Sequence, residues 1–233
     1  MKKLPFVSII VPTYQEEKYI EKCLLSLRNQ DYKGKYEIIV ADSMSKDKTV
    51  KIAKKYADKV ILVKKKGPSA GRNAGAKEAK GEILFFVDAD TMLLPNVITE
   101  VVKCLRKRGV VGVSIPLITD DLKKNIYYFT SLGLYYLLTK VNLQPVYAVC
   151  FACKKESFIK AGGFDEKLYV AEDVEFGQRL KKIGKILYST NTFAITSARR
   201  LKKWNVFKII RAWPLGYLYF KLLKRQPKYP AIR

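Results

Sequence analysis

Four short apolar runs alternate with helix-patterned segments across residues 6–88, and this alternation limits the chain to very few folds. The runs are FVSIIVP (6–12), YEIIVAD (36–42), KVILV (59–63) and EILFFVD (82–88). The first, second and fourth read as buried strands and KVILV as a further strand. Between the first two, EEKYIEKCLLSLRNQ sets Ile20, Leu24 and Leu27 at helical spacing, with acids in the first turn. KDKTVKIAKKYAD repeats the helical pattern. A basic loop, KKKGPSAGRNAG, then leads into a small-residue helix ending at Gly81. Such spacing makes βαβ units, hence an α/β fold with a largely parallel sheet and helices on both faces.

Ligands of such sheets bind outside the carboxyl ends of the strands. The polar residues gather there: Pro12 to Glu16 after the first strand, Asp42 to Asp47 after the second, Asp88 to Asp90 after the fourth. Asp88 and Asp90, flanking Ala89, lie at alternate positions and are expected to share a strand face. A pair so placed can bracket one cation or a cation-bound diphosphate, which suits Mg2+ or Mn2+. Read alone, the pair is equally a solvated strand end, with Asp90 capping the next helix.

The second half is expected to add strands at VVGVSIP (110–116), VYAVCFACKK (146–155), KILYS and TFAITS. Helical patterns cover 121–138, ESFIKA and AEDVEFGQRLKKIG. With 48% hydrophobic residues a packed core is expected. Cys150 and Cys153 fall on opposite faces of one strand, which argues against a disulfide or half a zinc site. All four cysteines therefore read as buried, reduced thiols. The opening residues resemble a strand rather than a signal peptide, and no apolar run approaches the span of a bilayer. The chain has no histidine, so acid–base chemistry falls to a carboxylate, Lys, Tyr or Cys.

Taken in order, VSIIVPTYQEEKYIEKCLLSL, IIVADSMSKDKT, GPSAGRNAGAKEAKGEILFFVDAD, GGFDE and AEDVEFGQRLKKIG resemble the successive motifs of family 2 glycosyltransferases. The resemblance spans about residues 6–196. It implies a GT-A fold, a Rossmann-like mixed sheet flanked by helices. It also implies a metal-dependent, inverting, hexosyltransferase-type enzyme that uses a nucleotide-diphosphate donor, UDP-sugar favoured. By position, Pro12, Tyr14 and Glu16 would line the nucleoside pocket, and Asp42 would accept from the base N–H. Arg72 and Asn73 would lie near ribose and diphosphate. Asp88, Ala89 and Asp90 would form the nucleotide and metal corner, with Asp90 the metal ligand. Asp173 would be the general base, Glu172 would orient it or the acceptor, and Arg179 would support that helix or the diphosphate. Helix capping is an alternative use of Glu172 and Asp173 that can hold at the same time.

Three departures stand out. Ser43 and Met44 replace an Asp and a Gly of the usual motif, so that turn is expected to be less permissive. ITSARR stands where many members place a metal-binding His. GQRLKKIG stands where processive members carry Q-x-x-R-W, which fits single transfer. A sugar-nucleotide nucleotidyltransferase is an alternative, but it would want a Gly-rich loop directly after the first strand.

The charge is uneven. Net charge is +24, and the 58 residues after Glu175 carry 15 Lys or Arg and no acid. In 199–233, Trp204, Phe207, Ile210 and Trp213 recur at helical spacing among basic residues. Amphipathic helices against an anionic membrane surface are expected there. Packing on the catalytic domain is the plainer alternative, and a non-catalytic membrane-binding protein on the same fold a further one. Nucleic acid is not an expected partner, because no such motif occurs. The expected organisation is a catalytic domain over 1–198, with a nucleotide-sugar half (about 1–116) and an acceptor half (117–198), followed by the basic tail. The expected location is cytoplasmic, peripheral at the inner face of the cell membrane, on a glycan or lipid-linked acceptor.

Overall fold

The structure, a computed structural model, describes residues 3–65, 67–121, 146–168 and 171–199. In chain order its first elements are β1 (Val7–Thr13), α1 (Ile20–Arg28), β2 (Tyr36–Asp42), α2 (Thr49–Tyr56), β3 (Lys59–Leu62), α3 (Pro68–Glu78) and β4 (Ile83–Val87). They are followed by β5 (Thr91–Leu93), α4 (Val97–Leu105), β6 (Val110–Ser114) and β7 (Leu117–Thr119). The last are β8 (Cys150–Lys154), α5 (Lys155–Lys160), α6 (Glu172–Lys181), β9 (Lys185–Tyr188) and β10 (Ala194–Thr196). Seven strands form one sheet in the order β3-β2-β1-β4-β8-β6-β9.

Strands β3, β2, β1 and β4 are parallel, as their helical connections require. β8 then enters antiparallel to both β4 and β6, which makes the sheet mixed. The mixed α/β fold expected from the sequence is the one observed. Side chains alternate strictly between two cores. Ile9, Val11, Ile38, Val40, Phe85 and Cys150 face α1, α2 and α4. Ile10, Ile39, Phe86, Phe151 and Cys153 face the other layer, with Phe158 of α5 and Phe176 and Leu180 of α6. All four thiols are free and buried, and Cys150 and Cys153 do point to opposite sides.

Helix α3 starts at Pro68, so Arg72 and Asn73 ride on a helix rather than in the expected loop. Proline at the first helical position loses no hydrogen bond and its fixed φ suits the helix. The helix lies very close to the sheet: a Cβ on Gly75 would collide with Cγ2 of Ile10. β5, α4 and β7 were not expected. α4 is rich in β-branched residues, which favour strands, yet its buried positions 97, 98, 101, 102 and 105 follow a helical period. β5, β10 and β7 form a small second sheet in that order. The aromatic stretch 126–138 and the basic segment from residue 200 onward lie outside the described residues. Among the described residues, no helix is long and apolar enough to cross a membrane.

Candidate active site

The order β2-β1-β4 brings three strand ends side by side, and with them Asp42, Glu16 and the Asp88–Asp90 turn. The first is fully buried. Asp42 accepts from the Thr13 hydroxyl at 2.8 Å, the Ser45 hydroxyl at 2.6 Å and the Ser45 N–H at 2.7 Å. Met44 takes a left-handed φ of 62°. The turn therefore keeps a glycine-like shape without the glycine, at a cost of about 1–2 kcal/mol. Gln15 (φ 55°) and Ala171 (φ 58°) are likewise left-handed, and each adjoins a site residue, Glu16 or Glu172. Pro12 and Tyr14, both part-buried, flank Thr13 at the end of β1.

The strand reading of Asp88 and Asp90 needs correction. β4 ends at Val87, and the Thr91 N–H donates to the Asp88 carbonyl at 3.0 Å, closing a turn. The two carboxylates therefore do not share a strand face. They are held by different guanidinium groups. Asp88 pairs with Arg72 at 2.9 Å, and Asp90 pairs with Arg199 at 2.8 Å. Ala89 between them is buried in the α1–α4 core.

Arg72 is buried, and its second terminal nitrogen donates to Glu172 at 2.9 Å. One guanidinium thus joins the end of β4 to the first residue of α6. Asp173 follows at once. One of its oxygens accepts from the Ala148 N–H at 3.1 Å and the other from the Val174 N–H at 2.8 Å. Desolvation, and then the neighbouring Glu172 charge, push its pKa up to about 7, against the opposing pull of Arg72 and the two N–H groups. A carboxylate so poised can accept a proton near neutral pH.

Two expected site residues are committed elsewhere. The Asn73 amide donates to the Phe164 carbonyl at 2.8 Å and to Glu166 at 2.9 Å, while its oxygen accepts from the Phe164 N–H at 2.9 Å. It pins the Gly162–Glu166 turn onto α3. Arg179 forks onto Glu175 at 2.7 and 2.6 Å and donates to the Ala161 carbonyl. Of its two expected roles, it takes support of the helix.

Arg199 is the residue the sequence reading missed. It grips both oxygens of Glu16, at 2.7 and 2.9 Å, besides Asp90. The available signal was ITSARR itself, once β10 is paired with β5 directly after Asp90. Both strands have three residues and meet across about a hundred positions, so no local pattern announces them.

Among the described residues, Arg72 joins Asp88 to Glu172 and Arg199 joins Glu16 to Asp90, with Asp173 next to Glu172. Hard carboxylate oxygens at a partly buried site suit a divalent cation that takes few carboxylates and completes its shell with phosphate and water. Among the described residues, no three His, Cys, Asp or Glu side chains are grouped to hold a metal by themselves.

A model of glycosyl transferase family 2 matches residues 8–160. Poly(ribitol-phosphate) beta-N-acetylglucosaminyltransferase TarS of Staphylococcus aureus is 35% identical over 126 residues, 47% of this chain. This chain spans only 22% of that relative's length. Mannosyltransferase PcManGT from Pyrobaculum calidifontis, solved with GDP-Man and Mn2+, superposes with TM-score 0.76 at 24% identity. That match covers 98% of this chain and 67% of the other, and shows a shared fold. TarS 1–349 with UDP-GlcNAc superposes at TM-score 0.64 and 22% identity, covering 82% of this chain and 58% of that one.

Proposed function

Because the chain belongs to glycosyl transferase family 2, we propose that it moves a sugar from a nucleotide-diphosphate donor to an acceptor hydroxyl, inverting the anomeric carbon. The observation that carries this is the buried Arg72, which ties donor-side Asp88 to Glu172 beside the poised Asp173. Donor corner and proton acceptor are thereby fixed relative to one another, which is what a single displacement needs. The acceptor oxygen attacks the anomeric carbon as Asp173 takes its proton. The bond to the diphosphate oxygen breaks on the opposite face, and the nucleoside diphosphate leaves.

Asp90, with Asp88 beside it, would hold a Mn2+ or Mg2+ ion together with diphosphate oxygens. When bound, that ion supplies charge neutralisation for the leaving diphosphate. Pro12, Tyr14 and Glu16 line the nucleoside pocket, and Asp42 sits at its base-facing end. A UDP-sugar is the favoured donor, supported by the likeness to TarS in sequence and in its UDP-GlcNAc complex.

A thermal-shift panel of UDP- and GDP-sugars with and without Mn2+ tests the reading. A nucleotide at about a hundred times its Kd adds about 2.7 kcal/mol, which for a chain this size is on the order of 5 °C or more. Asp90→Asn abolishes the Mn2+-dependent part of that rise. If no nucleotide sugar shifts the melt, and neither Asp90→Asn nor Asp173→Asn changes transfer, the enzymatic reading fails.

We further propose a lipid-linked glycan acceptor at an anionic membrane surface, reached by the acid-free basic segment after Glu175. The full chain then floats with anionic liposomes and loses that flotation on deletion of 200–233. Equal behaviour of the two proteins removes the proposal, and with it the location at the inner membrane face.

A further inference from the structure

Arg199 reaches the donor corner by a route independent of the sheet that builds it. It follows β10, whose Thr196 pairs with Thr91 of β5, and the Ser197 N–H donates to the Asp90 carbonyl at 3.1 Å. This pairing delivers one guanidinium to carboxylates from two different strand ends. Its grip on them is unequal. Glu16 accepts two hydrogen bonds, at 2.7 and 2.9 Å, whereas Asp90 is held by an ion-pair contact at 2.8 Å. The Tyr19 ring lies 4.8 Å from the guanidinium carbon. The three side chains are only 5–11% exposed, so water screens the triad poorly.

Arginine cannot leave such a triad by losing its proton. A cation approaching Asp90 therefore meets a carboxylate oxygen already engaged and a fixed positive charge 2.8 Å away. The ion pair with Asp90 is the exchangeable contact of Arg199, because the fork on Glu16 anchors the group. A diphosphate arriving with the cation changes the balance, since it offers acceptors to both positive groups.

Resting on the nucleotide-sugar reading above, we propose that Arg199 is a resident counter-cation of the donor site. It competes with the divalent ion for Asp90, and on donor binding it turns, still tethered by Glu16, to the diphosphate. Metal binding is thereby made conditional on the nucleotide, and the free protein discriminates against cations alone.

The test uses the full chain and two probes. Mn2+ alone is titrated into the protein and free ion is followed by electron paramagnetic resonance. UDP is then titrated by calorimetry at saturating Mn2+. Arg199→Gln binds Mn2+ alone more tightly and UDP more weakly, each by about 5–150-fold, the usual range of coupling between two ligands. Arg199→Lys keeps a charge beside Glu16 without the fork, falls between wild type and Gln in both titrations, and carries the test by itself against wild type in the event that Gln fails to fold. Unchanged Mn2+ affinity in the folded variants overturns the proposal, as does UDP affinity indifferent to Arg199. If the wild-type protein binds no UDP at all, the parent reading fails instead, while the Mn2+ titration still decides the competition.

Discussion

Asp173→Asn lowers kcat by about 10²–10⁴-fold, the usual contribution of a positioned base, while the Kd for the nucleotide sugar changes little. Asparagine fills the same volume but cannot take the acceptor proton. Steady-state transfer and calorimetric donor binding separate the two quantities, and an undiminished kcat removes Asp173 from its role. The pH profile adds a second check. The active form is the carboxylate, so log kcat/KM rises with pH and levels off near 7, not near the ordinary value of about 4. Glu172 contributes to that displacement by its charge. Glu172→Gln keeps an oxygen for Arg72 and moves the rising limb to lower pH. The sign for stability is opposite. A carboxyl with a raised folded-state pKa stabilises the fold fully below its unfolded value and loses that contribution as pH rises towards 7. The protein is thus least favoured by this residue at the pH where the residue works, and Asp173→Asn flattens that part of the stability–pH curve.

Arg72→Met costs about 3–5 kcal/mol of folding stability, the usual penalty for stripping one partner from a buried ionic group. Its guanidinium is almost fully enclosed and faces Asp88, Glu172 and, at longer range, Asp173. Losing it leaves negative groups facing one another under the Phe164 ring, whose centroid lies 5.4 Å from the guanidinium carbon. Denaturant unfolding of the variant, with Glu172→Gln added on top, tests the account. The double variant recovers part of the loss, because one unpaired charge has gone. A loss under 1 kcal/mol, or strict additivity, contradicts a buried electrostatic tie. Where the variant stays folded, its Asp173 titrates higher still, since Arg72 is a force holding that pKa down.

The parallel half of the sheet was legible because each strand there is a continuous apolar run and each crossover a periodic helix. The convergence of Asp42, Glu16 and Asp88–Asp90 followed from that topology alone. What stayed hidden depended on contacts distant in sequence. Strand alternation cannot foresee that the chain turns at Asp88, because the turn is stabilised by its own Thr91 N–H and by the Val149 carbonyl accepting from the Asp88 N–H. The orientation of β8 rests on pairing with β4 across more than sixty residues. Asn73 and Arg179 carry the residue types of ligand binders, yet their partners are Phe164 and Glu166, and Glu175 and Ala161. Motif position shows that a residue matters to the site, whereas only packing shows whether it touches a ligand or holds a neighbour that does. Arg199 was read as the first charge of a basic tail, and only the β5–β10 pairing turns it inward.

The two cores on either side of the sheet give the protein a pair of internal reporters. Cys150 and Cys153 are three residues apart on β8 yet open into separate interiors, one beneath α1 and α4, the other beneath α5 and α6. Burial holds both thiols well above their ordinary pKa, in the unreactive protonated form. An alkylating reagent therefore meets each one only when its own helix layer lifts from the sheet. Assigned by peptide, so that Cys23 and Cys104 are told apart from them, the order in which the Cys150 and Cys153 labels appear in a pulse-labelling series reads which layer parts first, without any probe having to be introduced.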